Sequence, residues 1–348
     1  MKIALIYYRM MLRAGGLESR LRSYLFEMTR RGHDVTLLMA RPRNLVLPQG
    51  ATLQRLPRGP LPKSLQPIGF NAALGGWMRR HDYDFSLSLE RSSHQDAVLN
   101  PGNHLGYLRA EGRKPSTLSD WAQIRLDRLA YRDSKIIFAA SPMMKAETIE
   151  LYDVSPDNIV VLPPPVLSDR FQPLSEEKRH ELRQEWGIRP DEIACAFVSA
   201  SHLRKGLPLL LEVFKALRGK PFRLLVAGNP LPPEASGLEN VTWIGHSSEP
   251  EKLFAACDVS LLPARYEPFG QVVTESILCG TPAFVSDRVG AAPYLSEAEG
   301  LVLPFDTADA WIAALEAFAP ATYSPGHHFA LRHGLDLSSH VDQLLEGW

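Results

Sequence analysis

Residues 258–287 constrain the fold more than any other stretch of this chain. The apolar run Asp258–Pro263 (DVSLLP) has the length and composition of a buried strand. A loop with Glu267, Pro268, Phe269 and Gly270 follows, then a predicted helix from Gln271 to Cys279 that Gly280 stops. A second apolar strand, Ala283–Ser286, closes the segment. Two short apolar strands joined through a helix read as parallel neighbours, covered on both faces by helices. The Glu267 loop then lies at the carboxyl end of the sheet, where open α/β folds take their ligands. The helix N-terminus offers the amides of Phe269, Gly270 and Gln271 to an anion. Glu275 sits one turn into that helix, eight residues beyond Glu267. Carboxylates on either side of such a helix end suit a ligand with hydroxyls at both ends and phosphate between them. A sugar nucleotide has that layout.

The alternation of strand and helix runs through the chain twice. Lys2–Tyr8 reads as a first buried strand, Leu17–Arg31 as a helix with Leu21, Tyr24, Leu25 and Met28 on one face, and His33–Met39 as a second strand. Gly15 and Gly16 fall at the strand-to-helix turn, where a missing Cβ lets backbone approach a ligand. Residues 41–80, rich in Pro, Gly and Arg, read as an irregular connection with one short helix near Phe70–Arg80. Their interleaved Leu61, Lys63, Leu65, Trp77, Met78, Arg79 and Arg80 suit a membrane interface. Further strands are expected at Phe85–Leu89, Lys135–Ala140 and Asn158–Leu162, and helices at Pro115–Tyr131 and after Ser141-Pro142, an N-cap followed by Pro. His94 and His104 fall in a connecting segment. Pro163–Pro165 reads as a stiff linker. The domains are therefore 1–165 and 166–329, with a last helix, Ser338–Trp348, in the segment 330–348.

The second half restarts with a helix at Glu176–Trp186 and a strand at Ile193–Ser199. Arg204-Lys205-Gly206 comes next, before a helix at Leu207–Leu217 and strands at Phe222–Ala227 and Val241–Gly245. Two cations at a strand-to-helix turn suit a pyrophosphate, Arg for bidentate contact and Lys as a mobile point charge.

With 45% apolar and 22% charged residues the composition is that of a soluble globular protein. Cys195, Cys257 and Cys279 stand far apart in apolar or helical runs and read as buried thiols of a reducing compartment. No segment has the length of a membrane span and the N-terminus lacks a signal-peptide cleavage pattern, so the expected location is cytoplasmic. Residues 1–165 hold 23 Lys and Arg against 15 Asp and Glu, whereas the remainder holds 15 against 24. A basic first half faces something anionic: a membrane surface, a phosphorylated acceptor or nucleic acid. Nucleic acid is disfavoured because no defined module interleaves aromatics with the charges. A nicotinamide oxidoreductase is disfavoured too, since G-x-G-x-x-G and its downstream acid are missing.

Glu267-Pro268-Phe269-Gly270, Glu275 and the following Cys279-Gly280-Thr281-Pro282 resemble the E-x7-E signature of the retaining glycosyltransferases of family 4. Gly15-Gly16-Leu17-Glu18 is similar to that family's G-G-x-E turn, and NIVVLPPPVLSDRF to its N-I-x-V-x-P-P-G-x-D, with Val166 in place of the glycine. The resemblance covers essentially the whole chain and extends to the lipopolysaccharide core glucosyltransferases of bacteria. It implies the GT-B fold: two facing Rossmann-like domains with parallel sheets and an interdomain cleft, the last helix crossing back onto the first domain.

The implied reaction moves a hexose from a nucleotide sugar, with uracil the expected base, to a glycan or glycolipid acceptor. The anomeric configuration is kept and no metal or other cofactor is needed. Glu275 would hold the ribose hydroxyls, Arg204 and Lys205 the pyrophosphate, and Glu267 with Phe269, Gly270 and Gln271 the sugar. Ile244, in the segment like the family's V-x-F-x-G, would face the base. His104 would stand beside the transferred sugar, and Gly15 and Gly16 would line the ligand. Location at the inner face of an anionic membrane, through the basic half, is a further expectation. Two alternatives remain: an epimerase of free sugar nucleotides on the same scaffold, and a binding protein without catalysis.

Overall fold

The computed structural model describes residues 1–10, 16–42, 45–100, 102–167, 169–247, 249–326 and 328–348. The chain divides into two compact units, 1–165 with 337–348, and 166–336.

Unit 1 is built on a seven-stranded parallel sheet. In chain order it contains β1 (Lys2–Ile6), α1 (Gly16–Arg30), β2 (Asp34–Met39), β3 (Ala51–Arg55), α2 (Gln66–Met78), β4 (Phe85–Ser88), β5 (Ala97–Asn100), α3 (His104–Ala110), α4 (Leu118–Asp133), β6 (Ile136–Ala139), α5 (Pro142–Tyr152) and β7 (Ile159–Val161). The strand order is β3-β2-β1-β4-β5-β6-β7. The central strands are apolar and buried along nearly their whole length, as a parallel sheet between two helical layers requires. Serines in β4 are affordable because each is bonded: Ser86 Oγ donates to Asp96 Oδ2 at 2.7 Å and Ser88 Oγ to the Glu90 carbonyl at 2.8 Å. Helix ends follow local chemistry. Thr117 and Asp120 close a capping box on α4, and the Ser141 hydroxyl accepts from the Met144 amide on α5.

Unit 2 holds α6 (Glu176–Glu185), β8 (Ile193–Ser199), α7 (His202–Lys205), α8 (Leu207–Ala216), β9 (Phe222–Gly228), β10 (Val241–Gly245), α9 (Pro250–Ala256), β11 (Val259–Leu262), α10 (Gln271–Leu278), β12 (Ala283–Ser286), β13 (Gly300–Leu303), α11 (Ala308–Glu316) and α12 (Phe329–Arg332). Its six strands are ordered β10-β9-β8-β11-β12-β13 and pair in parallel. Both sheets are thus doubly wound, each reversing direction beside its first strand. Cys195, Cys257 and Cys279 are free and buried.

The last helix, α13 (Leu337–Leu345), returns to unit 1 and lies on α1. Val341 and Leu344 enter the core formed by Leu21, Tyr24, Leu25 and Met28. The Tyr24 hydroxyl lies 2.6 Å from His340 Nε2, and Arg31 Nη1 donates to Asp342 Oδ1 at 2.5 Å.

Three expectations need correction. Residues 41–80 contain an edge strand, β3, and a helix that begins at Gln66 instead of Phe70. The segment holding His94 and His104 contains β5 and α3, so His104 opens a helix and does not sit in a loop. Arg204-Lys205 belong to a helical turn of their own, α7, and only Gly206 is the turn proper.

Candidate functional site

The polar residues at the carboxyl edge of unit 2 are brought together by two loops, one after β8 and one after β11. These strands are neighbours at the point where the sheet reverses order, the position where open α/β sheets take their ligands. The first loop turns through α7 and reverses at Gly206, whose φ is +88°. A Cβ there would lie 1.8 Å from the Pro263 carbonyl oxygen, so only glycine lets the turn press against the end of β11. The Arg265 amide donates to the Arg204 carbonyl at 2.9 Å and ties the two loops together.

The second loop is fastened on its other side as well. The Glu267 amide donates to the Arg288 carbonyl, and the Gly290 and Ala291 amides donate to the Glu267 and Phe269 carbonyls at 2.9 and 2.8 Å. The Ser286 hydroxyl donates to the Ala264 carbonyl at 2.6 Å. Phe269 is buried edge-to-face against Tyr294, with centroids 5.9 Å apart. Gly270 caps α10 at φ +93°, a backbone that favours glycine, and a Cβ there would crowd Leu262 and Val289 at 3.1 Å. This backbone is positioned before any ligand arrives.

Within this frame Arg204 Nη1 donates to Glu267 Oε2 and to the Tyr266 carbonyl, each at 2.9 Å. One guanidinium nitrogen makes both contacts. Lys205 Nζ donates to the Val198 carbonyl at 3.3 Å. Burial lowers the Lys205 pKa, against the attraction of Glu267 and Glu275. Burial also pushes Glu275 up to about 7, opposed by Lys205 and Arg170. Burial thus disfavours the charged form of both groups; an anion would favour the charged lysine, and hydroxyl donors the Glu275 carboxylate. Such shifts are a property of functional clefts.

The edge continues across β9 and β10. Asn229 Nδ2 donates to the Ala200 carbonyl at 2.8 Å, and His202 Nε2 lies 2.8 Å from the Asn229 carbonyl. Trp243, an exposed ring on β10, donates from Nε1 to the Gly228 carbonyl at 3.2 Å, next to the half-buried Ile244. Sequence reasoning passed over His202, Asn229 and Trp243. Only Trp243 carried a signal, an aromatic in a short strand ending in glycine.

Of the expected residues, Arg204, Lys205, Glu267, Phe269, Gly270, Gln271 and Glu275 gather here, with Ile244 further along the edge. Gly15 lies outside the described residues. Gly16 opens α1 and His104 opens α3, both in unit 1. His104 is buried, with Nε2 2.8 Å from Asp120 Oδ1 and its amide donating to Asp127 Oδ2 at 3.0 Å. Bonds from Thr117 and then His104 hold the Asp120 carboxyl well below the usual range. His104 thus knits α3 to α4.

Unit 1 has a shifted carboxyl of its own that the sequence reading missed. Glu90 follows β4, at the position where unit 1 reverses strand order. Its Oε2 accepts from the Tyr8 amide at 2.8 Å, and burial pushes it up to about 7.

A family model described as group 1 glycosyl transferases matches residues 178–319, and one described as glycosyltransferase family 4 matches residues 14–170. A probable transglycosylase of Burkholderia thailandensis is 32% identical over 294 residues, covering 82% of this chain and 80% of that one. Among solved structures, WaaG, a glycosyltransferase involved in lipopolysaccharide biosynthesis, superimposes with a TM-score of 0.80 at 20% identity over 99% of this chain and 100% of its own. Anabaena HepE, solved with UDP and glucose, gives 0.75 at 15% identity over the whole of both chains.

Proposed function

This chain belongs to the family 4 (group 1) glycosyltransferases, and we propose that it moves a hexose from UDP to a hydroxyl of a glycan or glycolipid, with retention at the anomeric carbon. The observation that carries this reading is the junction of the Arg204–Gly206 turn with the Glu267 loop at the strand-order reversal of unit 2. The presence of UDP and glucose in HepE supports the choice of donor.

Glu275, as the carboxylate, would accept from the ribose hydroxyls, and the edge of β10 would face the base. Arg204 and Lys205 would hold the pyrophosphate, while Glu267 and the Phe269–Gln271 backbone would hold the sugar. When the C1–O bond breaks, the electron pair leaves with the diphosphate. Two cations and the N-terminus of α10 stabilise that charge, so we assign its compensation to them and not to a metal ion. The acceptor hydroxyl enters on the same face and passes its proton to the departing phosphate oxygen. We further propose a cell-envelope acceptor such as lipopolysaccharide core, reached at an anionic membrane surface. No helix among the described residues is long and apolar enough to cross a membrane.

Thermal shift against UDP, GDP, ADP and NAD in the presence of a chelator tests the donor. A ligand at 100 times its Kd stabilises by about 2.7 kcal/mol. A UDP shift that Glu275→Ala abolishes is expected, and a shift with NAD alone overturns the reading. Labelled UDP-hexose without acceptor then separates transfer, which leaves it intact, from epimerisation.

A further inference from the structure

The carboxyl edge of unit 1 holds a second convergence of charge. Strands β3, β2 and β1 end side by side, and the segment after each sends one donor to a common point: Arg58, Arg41 and Tyr8. At that point stands Gln66, the first residue of α2. Its Oε1 accepts from Arg58 Nη1 at 2.8 Å, from Arg41 Nη2 at 3.3 Å and from the Tyr8 hydroxyl at 3.5 Å. The amide cannot turn away, because its Nε2 donates to the Leu61 carbonyl at 2.9 Å.

The donors are held in place by backbone and ring packing. The Ala40 and Arg41 amides both donate to the Tyr8 carbonyl, at 3.0 and 3.2 Å. The Tyr8 ring meets Phe70 of α2 edge-on at 5.4 Å. A Cβ on Gly69 would lie 2.1 Å from the Arg58 carbonyl, so the first turn of α2 presses directly on Arg58.

Among the described residues neither Arg41 nor Arg58 forms an ion pair. A neutral carbonyl oxygen has two lone pairs, so it cannot serve three donors fully and offsets neither charge. Solvated arginines would point apart; these two share one oxygen. A phosphate group has the charge and the several acceptor oxygens that two guanidinium forks and a phenol would fill.

We propose that Arg41, Arg58 and Tyr8 form a phosphate-binding site in which the Gln66 carbonyl holds the place of a phosphate oxygen, and that this site takes a phosphomonoester carried by the acceptor. The assignment to the acceptor rests on the transfer reaction proposed above; the anion site itself does not.

The test uses the full chain saturated with UDP, which occupies the donor site, and titrates inorganic phosphate by calorimetry. Phosphate is expected to bind the wild type and to bind Arg41→Gln/Arg58→Gln at least about tenfold more weakly. The UDP thermal shift should be unchanged, which shows the variant is folded. The pair Arg79→Gln/Arg80→Gln removes the same charge from exposed positions of the same unit and should leave phosphate binding intact. No phosphate binding by the wild type, equal affinity in the Arg41/Arg58 variant, or equal loss in both pairs overturns the site. Competition by glucose 6-phosphate, or sedimentation with phosphatidic acid vesicles but not phosphatidylcholine, assigns the group to a soluble sugar or to a lipid, provided it depends on Arg41 and Arg58. Phosphate binding without any UDP binding would sink the donor reading and leave the anion site standing.

Discussion

Each sheet reverses strand order beside its first strand, at β1 and β4 in unit 1 and at β8 and β11 in unit 2. In unit 2 the loops after that pair bring opposite charges into contact, Arg204 against Glu267, with Lys205 and Glu275 close behind. In unit 1 the pairing is different: Arg91, after β4, reaches Asp127 on α4 at 2.5 Å. Glu90 accepts from the Tyr8 backbone, while Arg41 and Arg58 turn to a neutral amide. One winding therefore supports two kinds of site, one with cation and carboxylate paired and one whose two arginines have no ion pair among the described residues. What distinguishes them is the residue placed after each strand, not the strand order.

The largest test of that contrast is steric. Gly206→Ala should destabilise unit 2 by roughly 3 kcal/mol or more, from the left-handed backbone and the collision with Pro263. Gly76→Ala within α2 meets only Arg80 Nη2 at 3.4 Å and should stabilise unit 1 by about 0.5–1 kcal/mol. Chemical denaturation followed by hydrogen exchange in each unit would show opposite signs; equal behaviour would break the comparison.

Next comes catalysis. Glu267→Ala should lower kcat/KM by about 10²-fold, roughly 2.7 kcal/mol of transition-state stabilisation, and Lys205→Ala should cost at least ~2 kcal/mol. Near-wild-type turnover by both would remove the assignment.

A smaller effect concerns the two elevated carboxyls. Glu275 and Glu90 have pKa values raised from 4.5 to about 7. A raised carboxyl favours the folded state fully below pH 4.5, and this contribution is lost as pH climbs to about 7. Glu275→Gln should therefore be more stable than the wild type at pH 8, by about 2 kcal/mol, and gain little at pH 4.5. Glu90→Gln should show the same profile while leaving UDP binding untouched, whereas Glu275→Gln should weaken it. Melting curves across pH with and without UDP separate the two glutamates.

The smallest change is Tyr24→Phe, which removes the 2.6 Å contact with His340. A loss of about 1 kcal/mol confined to unit 1 is expected, with UDP binding unaltered.

How much of this was legible in the sequence depended on how far each feature reached along the chain. Ile193–Ser199, Val241–Gly245 and Ala283–Ser286 were readable to the residue because short apolar runs between turn residues specify buried strands locally. β3 was not, since Ala51–Arg55 mixes polar and apolar residues on a half-covered edge inside a Pro-rich stretch. β5 and β13 are four residues each, too short for a periodicity to show even with Pro101-Gly102 after the one and Pro304 after the other. In the site, Glu267 and Arg204 could be picked out singly by motif. Their ion pair could not, because 63 residues separate them and only the folded sheet makes them neighbours. His104 was named through the resemblance alone; its partner Asp120 lies 16 residues away and shows only once α3 packs on α4.

The return of α13 to unit 1 makes unit 2 an insertion between two pieces of its neighbour's core. During synthesis residues 337–348 emerge only after all of unit 2, so unit 1 waits with Tyr24, Leu25 and Met28 partly uncovered while unit 2 can already close. A premature stop before Leu337 would thus injure the half of the protein made first. A short peptide of the same sequence supplied in trans would be the natural way to restore it.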